Sequence, residues 1–197
     1  MDGSLSPAFI FGISAIDTIL LLSLIFFFLS RSNDRPREVF LGHQRATVEI
    51  RLGVMLVPVI FLVVIVAQVV LRLVAPFLHT VDVSPFQSLL GSPWLIAGFV
   101  ALVLVAGGVR EELQRAFLLH RFEQRLGGGR IGVALTSVAF GLGHTVQGLD
   151  AAIITALLGG FWGVIYLSRR SVLSTVTNHA LFNMAQIAVG YAALVRS

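Results

Sequence analysis

The chain has 197 residues, 56% of them hydrophobic and 12% charged, with a mean hydropathy of +0.92. A soluble domain carries roughly twice that share of charge. The composition therefore excludes a water-soluble module and predicts an all-α integral membrane protein, residues 1–197 forming one domain. Absence of cysteine removes disulfides and thiolate chemistry, and the net charge of +4 comes from 14 arginines and no lysine. Arginines bordering apolar spans are explained by topology and call for no nucleic-acid partner.

Six apolar spans are expected in chain order. The opening "MDGSLSPAF" lacks a basic leader, so no cleaved signal peptide is expected. The first span covers about 8–29 and ends at "SRSNDRPRE". The segment from Arg31 to Arg51 reads as a solvated cytoplasmic loop, with an amphipathic helix on the membrane surface as an alternative and any binding to anionic lipid diluted by Asp34, Glu38 and Glu49; a second span follows over about 52–73. A proline-bearing loop (Pro76, Pro85, Pro93) leads to a third span over about 93–108. Its helix is expected to run on through "VREELQR" to about Arg125, where "LGGGR" ends it. Spans four and five, about 131–145 and 150–167, are short for some 20 residues of hydrocarbon and are expected inside the bundle. The sixth covers about 172–194.

Arg31, Arg35, Arg37, Arg45, Arg51, Arg110, Arg115, Arg121, Arg125, Arg130, Arg169 and Arg170 mark one side of this arrangement; Arg72 and Arg196 mark the other. The positive-inside rule makes the first side cytoplasmic and both termini external. A lysine-free composition points to a GC-rich bacterial genome, hence a bacterial inner membrane.

Ionisable groups in a bilayer are costly, which makes them functional candidates. "VREELQR" puts Glu111 and Glu112 at adjacent helical positions, about 100° apart, so they cannot face one spot. Arg115 reaches either, four residues after Glu111 and three after Glu112. One carboxylate can be compensated while the other faces a cavity as a general base; equally, the stretch reads as a helix end with surface ion pairs. "FGLGH" puts Phe140 and His144 one turn apart, with Gly141 and Gly143 allowing a neighbouring helix to approach. Alone, that histidine reads as a structural hydrogen-bonder. "TVTNHALFN" puts His179 and Asn183 on one face and Asn178 on another, a pattern that interhelical hydrogen bonding also explains.

Together, an acid pair, a histidine and a His/Asn pair recur on three late helices. A base, a second water-orienting group and amide or imidazole donors are what amide hydrolysis needs. No serine–lysine dyad exists, and Asp17 is the only aspartate well inside a span, which disfavours a paired-aspartate mechanism. A glutamate with His144 and His179 could supply three zinc ligands, but no His-Glu-x-x-His motif accompanies them.

These motifs resemble the CPBP intramembrane protease group, also called the Abi or CAAX prenyl endopeptidase family of glutamic-type membrane peptidases. Its pattern is Glu-Glu-x-x-x-Arg, then Phe-x-x-x-His, then His-x-x-x-Asn. Glu111 and Glu112, Phe140 and His144, and His179 and Asn183 match in order, over about residues 107–189. The family arginine falls here on Ala116; Arg115 stands one residue early and is expected to pair better with Glu111. The resemblance implies a bundle of about six transmembrane helices with a polar catalytic cavity open toward the cytoplasm. It implies a metal-independent, cofactor-free endopeptidase acting on a membrane-associated peptide or protein, prenylated or not. In it Glu111 (with Glu112 as rival) and His144 would activate water and His179 and Asn183 would stabilise the oxyanion. Arg115 and Phe140 would support the site. The alternative is a non-enzymatic protein of the same fold, in a bacteriocin-immunity or scaffold role. A transporter would need repeats or broken helices, and the sequence shows neither clearly.

Overall fold

A computed structural model describes residues 6–196. Met1–Leu5, on which the expectation of no leader partly rests, lie outside the described residues. All regular structure among the described residues is helical, with no strand. The helices are α1 (Pro7–Arg31), α2 (Pro36–Phe40), α3 (Ala46–Val74), α4 (Pro93–Arg125), α5 (Gly129–Leu142), α6 (Leu149–Arg169) and α7 (Leu173–Arg196).

Four of these, α1, α3, α4 and α6, are long and apolar enough to cross a membrane, which marks a multi-pass membrane protein. The six expected segments are all helical, but two miss that standard. The 14 residues of α5 span about 21 Å, short of the roughly 30 Å of hydrocarbon. The 24 residues of α7 suffice in length, but Ser174, Thr175, Asn178, His179 and Asn183 dilute its apolar character. The expectation that span five is short is corrected: α6 has 21 residues and is the most buried of the four long spans. Large apolar side chains on the outer faces of α1 and α3, such as Leu20, Leu62 and Leu73, stay exposed, as helices facing lipid require.

Local chemistry sets the ends and breaks. Ser6 accepts from the Phe9 amide and caps α1, with Pro7 at its first position. In α3 the helix slips at Leu56, just before Pro58, which has no N–H to give the preceding turn. Between α4 and α5, Gly127 and Gly128 take φ of +95° and +96°, values glycine adopts without steric cost. The helix thus stops at the expected glycines. α5 ends at Leu142, leaving His144 just past the last turn rather than within it.

The segment from Arg31 to Arg51 is not simply a solvated loop. Val39 and Phe40 of α2 are buried with Ile25, Leu29, Ala116, Leu119, Tyr166 and Val172. The Tyr166 hydroxyl donates to the Val39 carbonyl at 2.8 Å, and the Val172 amide to the Phe40 carbonyl at 2.8 Å. Glu49, fully buried in α3, accepts from Arg169 at 2.6 Å. The apolar residues of "EVF" and the partner of Glu49 thus draw the loop into the arginine-rich end of the bundle.

A second apolar cluster joins Ile60, Val64, Ile154, Leu158, Trp162 and Phe182. Small residues let the helices close. A Cβ on Gly141 would lie 2.8 Å from that of Ala156, so α5 and α6 touch there as "FGLGH" suggests. Gly143 has only its own chain within reach and makes no such approach. At the opposite end, His79 bonds Asp150 at 2.7 Å and the Leu149 amide donates to Thr80 at 3.1 Å, which fastens the proline-bearing loop to the start of α6.

Candidate active site

The acid pair lies within α4, directly after a distortion. Residues Val103–Arg110 wind as a π-helix, and regular α-helix resumes at Glu111. π-segments are uncommon and recur where a helix must re-aim functional side chains. "AGG" permits this one to sit flush on α7. A Cβ on Gly107 would stand 2.8 Å from the Asn183 amide nitrogen, and one on Gly108 3.2 Å from the Ala180 Cβ.

Glu111 and Glu112 part company as adjacent helical residues must. Glu112 points inward, 1% exposed, and its carboxylate is ion-paired with Arg115. The expected preference of Arg115 for Glu111 is therefore corrected. The three-residue spacing puts Arg115 and Glu112 on the same buried face, where the guanidinium also lies over the Phe140 ring, 4.6 Å from its centroid. His179, 4% exposed, places Nδ1 2.9 Å from the Glu112 Oε1. A carboxylate only accepts, so this imidazole nitrogen carries the proton. The other, Nε2, stands 3.8 Å from the Glu111 Oε2. His179 thus stands between the two acids, hydrogen-bonded to Glu112 and not to Glu111.

Glu111 faces a cavity of about 500 Å³ between α4 and α5. His144, Arg110, Gln114 and Phe140 line it too, and Leu118, Phe122 and Leu135 continue it as an apolar groove. His144 Nδ1 donates to the Phe140 carbonyl at 2.8 Å, which leaves Nε2 as the nitrogen with a free lone pair. Its ring meets Phe140 edge-on, with centroids 4.7 Å apart. Asn183 is not among the cavity-lining residues. It lies against Gly107, one turn before Glu111 on α4, and its amide makes no hydrogen bond to another described residue.

Trp162, Asn178, Asp17 and Arg110 also build the site, though the sequence assigned none of them to it. Trp162 stacks on His179, with centroids 3.8 Å apart and planes at 17°. Its indole N–H donates to Asn178 at 2.9 Å, and the Asn178 amide donates to the Gly53 carbonyl at 3.0 Å. A tryptophan amid the glycines of "GGFWG" needs an acceptor for its N–H, and that was the available signal. Asp17 of α1 is ion-paired with Arg110, whose Nη1 stands 3.8 Å from the Glu111 Oε1. Asp17 stood out as an intramembrane acid, but nothing local identified a partner 93 residues away.

Buried charge of this kind is held only by partners. Even so, the Glu112 Oε2 and Arg110 Nε atoms are buried with no hydrogen-bond partner among the described residues. Ser174 Oγ is a third such atom among the described residues, and each calls for an explanation such as a catalytic role or a bridging water. Among the described residues no three His, Asp or Glu side chains converge as metal ligands.

A helical membrane protein with a carboxylate–histidine cavity between two helices is the class that fold and site define. Residues 92–185, just under half of the chain, match the family model described as type II CAAX prenyl endopeptidase Rce1-like, and the chain carries a domain of that family there. The matched stretch contains all three motifs. No curated protein and no solved structure matches the chain.

Proposed function

We propose that this chain is an intramembrane endopeptidase that hydrolyses a peptide bond with water activated by Glu111 and His144. The observation that carries the reading is the cavity between α4 and α5. Glu111 and His144 both line it, while Glu112, its neighbour, is held away by Arg115 and His179. Residues 107–189 act as the catalytic core of a single membrane domain.

Glu111 accepts a proton from the water, and the water oxygen bonds to the scissile carbonyl carbon. His144 is fixed with Nδ1 protonated, so its Nε2 accepts a second hydrogen bond and orients the water. The carbonyl π-electrons move to oxygen. The Asn183 amide and the His179 imidazole are the donors for that oxyanion once they turn toward the cavity, which neither lines in this structure. Collapse of the intermediate breaks the C–N bond, and the amine leaves with the proton from Glu111. Each step uses side chains alone, so the reaction runs without a metal or other cofactor. Glu112 and Arg115 keep the acid helix in register with Phe140 and Trp162.

The substrate is a membrane-associated peptide or protein, prenylated or not, that reaches the groove lined by Leu118, Phe122 and Leu135. The site opens toward the arginine-rich, cytoplasmic side of a bacterial inner membrane, in a six-span bundle with both termini external. Trp162 stands about two turns from Arg169, near that side.

The test uses purified protein and two fluorogenic peptides, one ending in a farnesylated Cys-a-a-X and its unprenylated twin. The expected result is cleavage of at least one by wild type, unaffected by chelator, and a loss of about 10²-fold or more in Glu111→Gln and in His144→Ala. Undiminished cleavage by either variant would overturn the assignment. Chelator inactivation reversed by zinc would replace it with a metal mechanism.

A further inference from the structure

A second cavity, of about 440 Å³, lies between the ends of α1 and α4. Phe28, Arg31, Ser32, Phe117, Arg121 and Arg125 line it, none of them shared with the cavity of Glu111. Phe28 and Phe117 stack at 6.5 Å and form an apolar floor. Arg121 is held in the wall. It donates to Ser32 at 2.6 Å and to Gln124 at 2.8 Å, pairs with Asp34 at 2.7 Å, and covers the Phe117 ring at 5.0 Å. Burial works against the Asp34 charge. Hydrogen bonds from Ser32, His120, Gln124 and Arg121 outweigh it and hold the carboxyl well below the usual carboxylate range. Asp34 therefore stays ionised and neutralises one arginine. Arg31 and Arg125 form no ion pair with any described residue.

One arginine at each helix C-terminus is what dipole complementarity explains. Three around one cavity, over an aromatic floor, exceed it. The level matters too. α1 and α4 both qualify as membrane-crossing helices, and both end at this cavity. It stands where headgroups lie, and the exposed faces of Leu24, Phe27 and Phe28 continue beneath it into the apolar layer.

We propose that this cavity binds the headgroup phosphate of an anionic phospholipid. Arg31 and Arg125 pair with the phosphate, Arg121 shapes the wall, and an acyl chain runs down past Phe28. Basic pockets between membrane helices on the cytoplasmic side suit this class of ligand. The site is independent of the proposed hydrolysis and would hold in a protein without activity.

The test is native mass spectrometry of the full chain in detergent, titrated with dioleoyl-phosphatidylglycerol or dioleoyl-phosphatidylcholine. Wild type should retain phosphatidylglycerol in preference to phosphatidylcholine. Arg31→Gln/Arg125→Gln should weaken that retention about tenfold, and Arg37→Gln/Arg45→Gln, altered elsewhere on the same face, should not. Should the first double variant unfold, the single variants Arg31→Gln and Arg125→Gln, each read against its own melting curve, should each show part of the loss. Equal loss in the control pair would reduce the effect to general surface charge and overturn the site. So would an unchanged Arg31→Gln/Arg125→Gln variant, or displacement of the lipid by inorganic phosphate at matched concentration.

Discussion

At the scale of residues, the two adjacent glutamates differ in what surrounds them. Glu112 is enclosed with Arg115, His179, Phe140 and Trp162; Glu111 looks into open space. Removing one partner of a buried ion pair leaves the other uncompensated, at a cost of about 3–5 kcal/mol. Arg115→Ala should therefore lower stability by that amount in detergent unfolding, while Glu111→Gln should change it by less than about 1 kcal/mol. Equal effects would mean that both carboxylates are structural. Asp17→Asn should retain the fold yet lower any cleavage activity, because Arg110 beside Glu111 loses its counter-ion; activity at the wild-type level would show that Arg110 does not tune the site. The choice Arg115 makes was not legible in the sequence. Three- and four-residue spacings both permit a pair, and the packing of Arg115 over Phe140 and Trp162 favours Glu112.

At the scale of helices, the π-segment of α4 is the element with the clearest consequence. Its eight residues end at the residue before Glu111. Inserting one alanine after Leu102, with the π-winding kept, would rotate everything beyond by about 100°. Glu111 would turn from the cavity. The expected outcome is loss of cleavage with helical content retained by circular dichroism; retained cleavage would show that the distortion is incidental. The α5–α6 contact makes a second expectation. Gly141→Leu should prevent folding by clashing with Ala156, whereas Gly143→Ala, with only its own chain nearby, should fold normally. One-turn periodicity made Phe140 with His144 legible as a pair, and "LGGGR" made the end of α4 legible. The π-winding was not, since "AGG" signals close approach as readily as distortion. Nor was the docking of α2, since Val39 and Phe40 find their partners only across the bundle.

At the scale of the molecule, composition made the helical membrane class legible, and three spaced motifs made the family legible before any geometry. The count of crossings was less so. α5 stops short of a bilayer thickness and α7 is diluted by the polar residues that build the site. Apolar periodicity locates such helices without telling whether they face lipid or other helices. Orientation can be measured directly because the chain has no cysteine of its own. Arg45→Cys and Ser84→Cys place single thiols on opposite loops. A membrane-impermeant maleimide should label Cys at position 84 in intact cells and at position 45 only after permeabilisation. The reverse pattern would invert the topology and put the arginine-rich cavities on the outside.

If Glu111 does the chemistry while the surrounding polar groups hold it in place, proteolysis in the membrane depends on that one carboxylate. Mapping new N-termini in membrane proteins from cells expressing wild type or Glu111→Gln at equal abundance decides this. A set of membrane-proximal termini should be present with wild type and missing with Glu111→Gln. An identical set of termini in the two membranes would mean that Glu111 is not a catalytic base and would leave the fold as a scaffold.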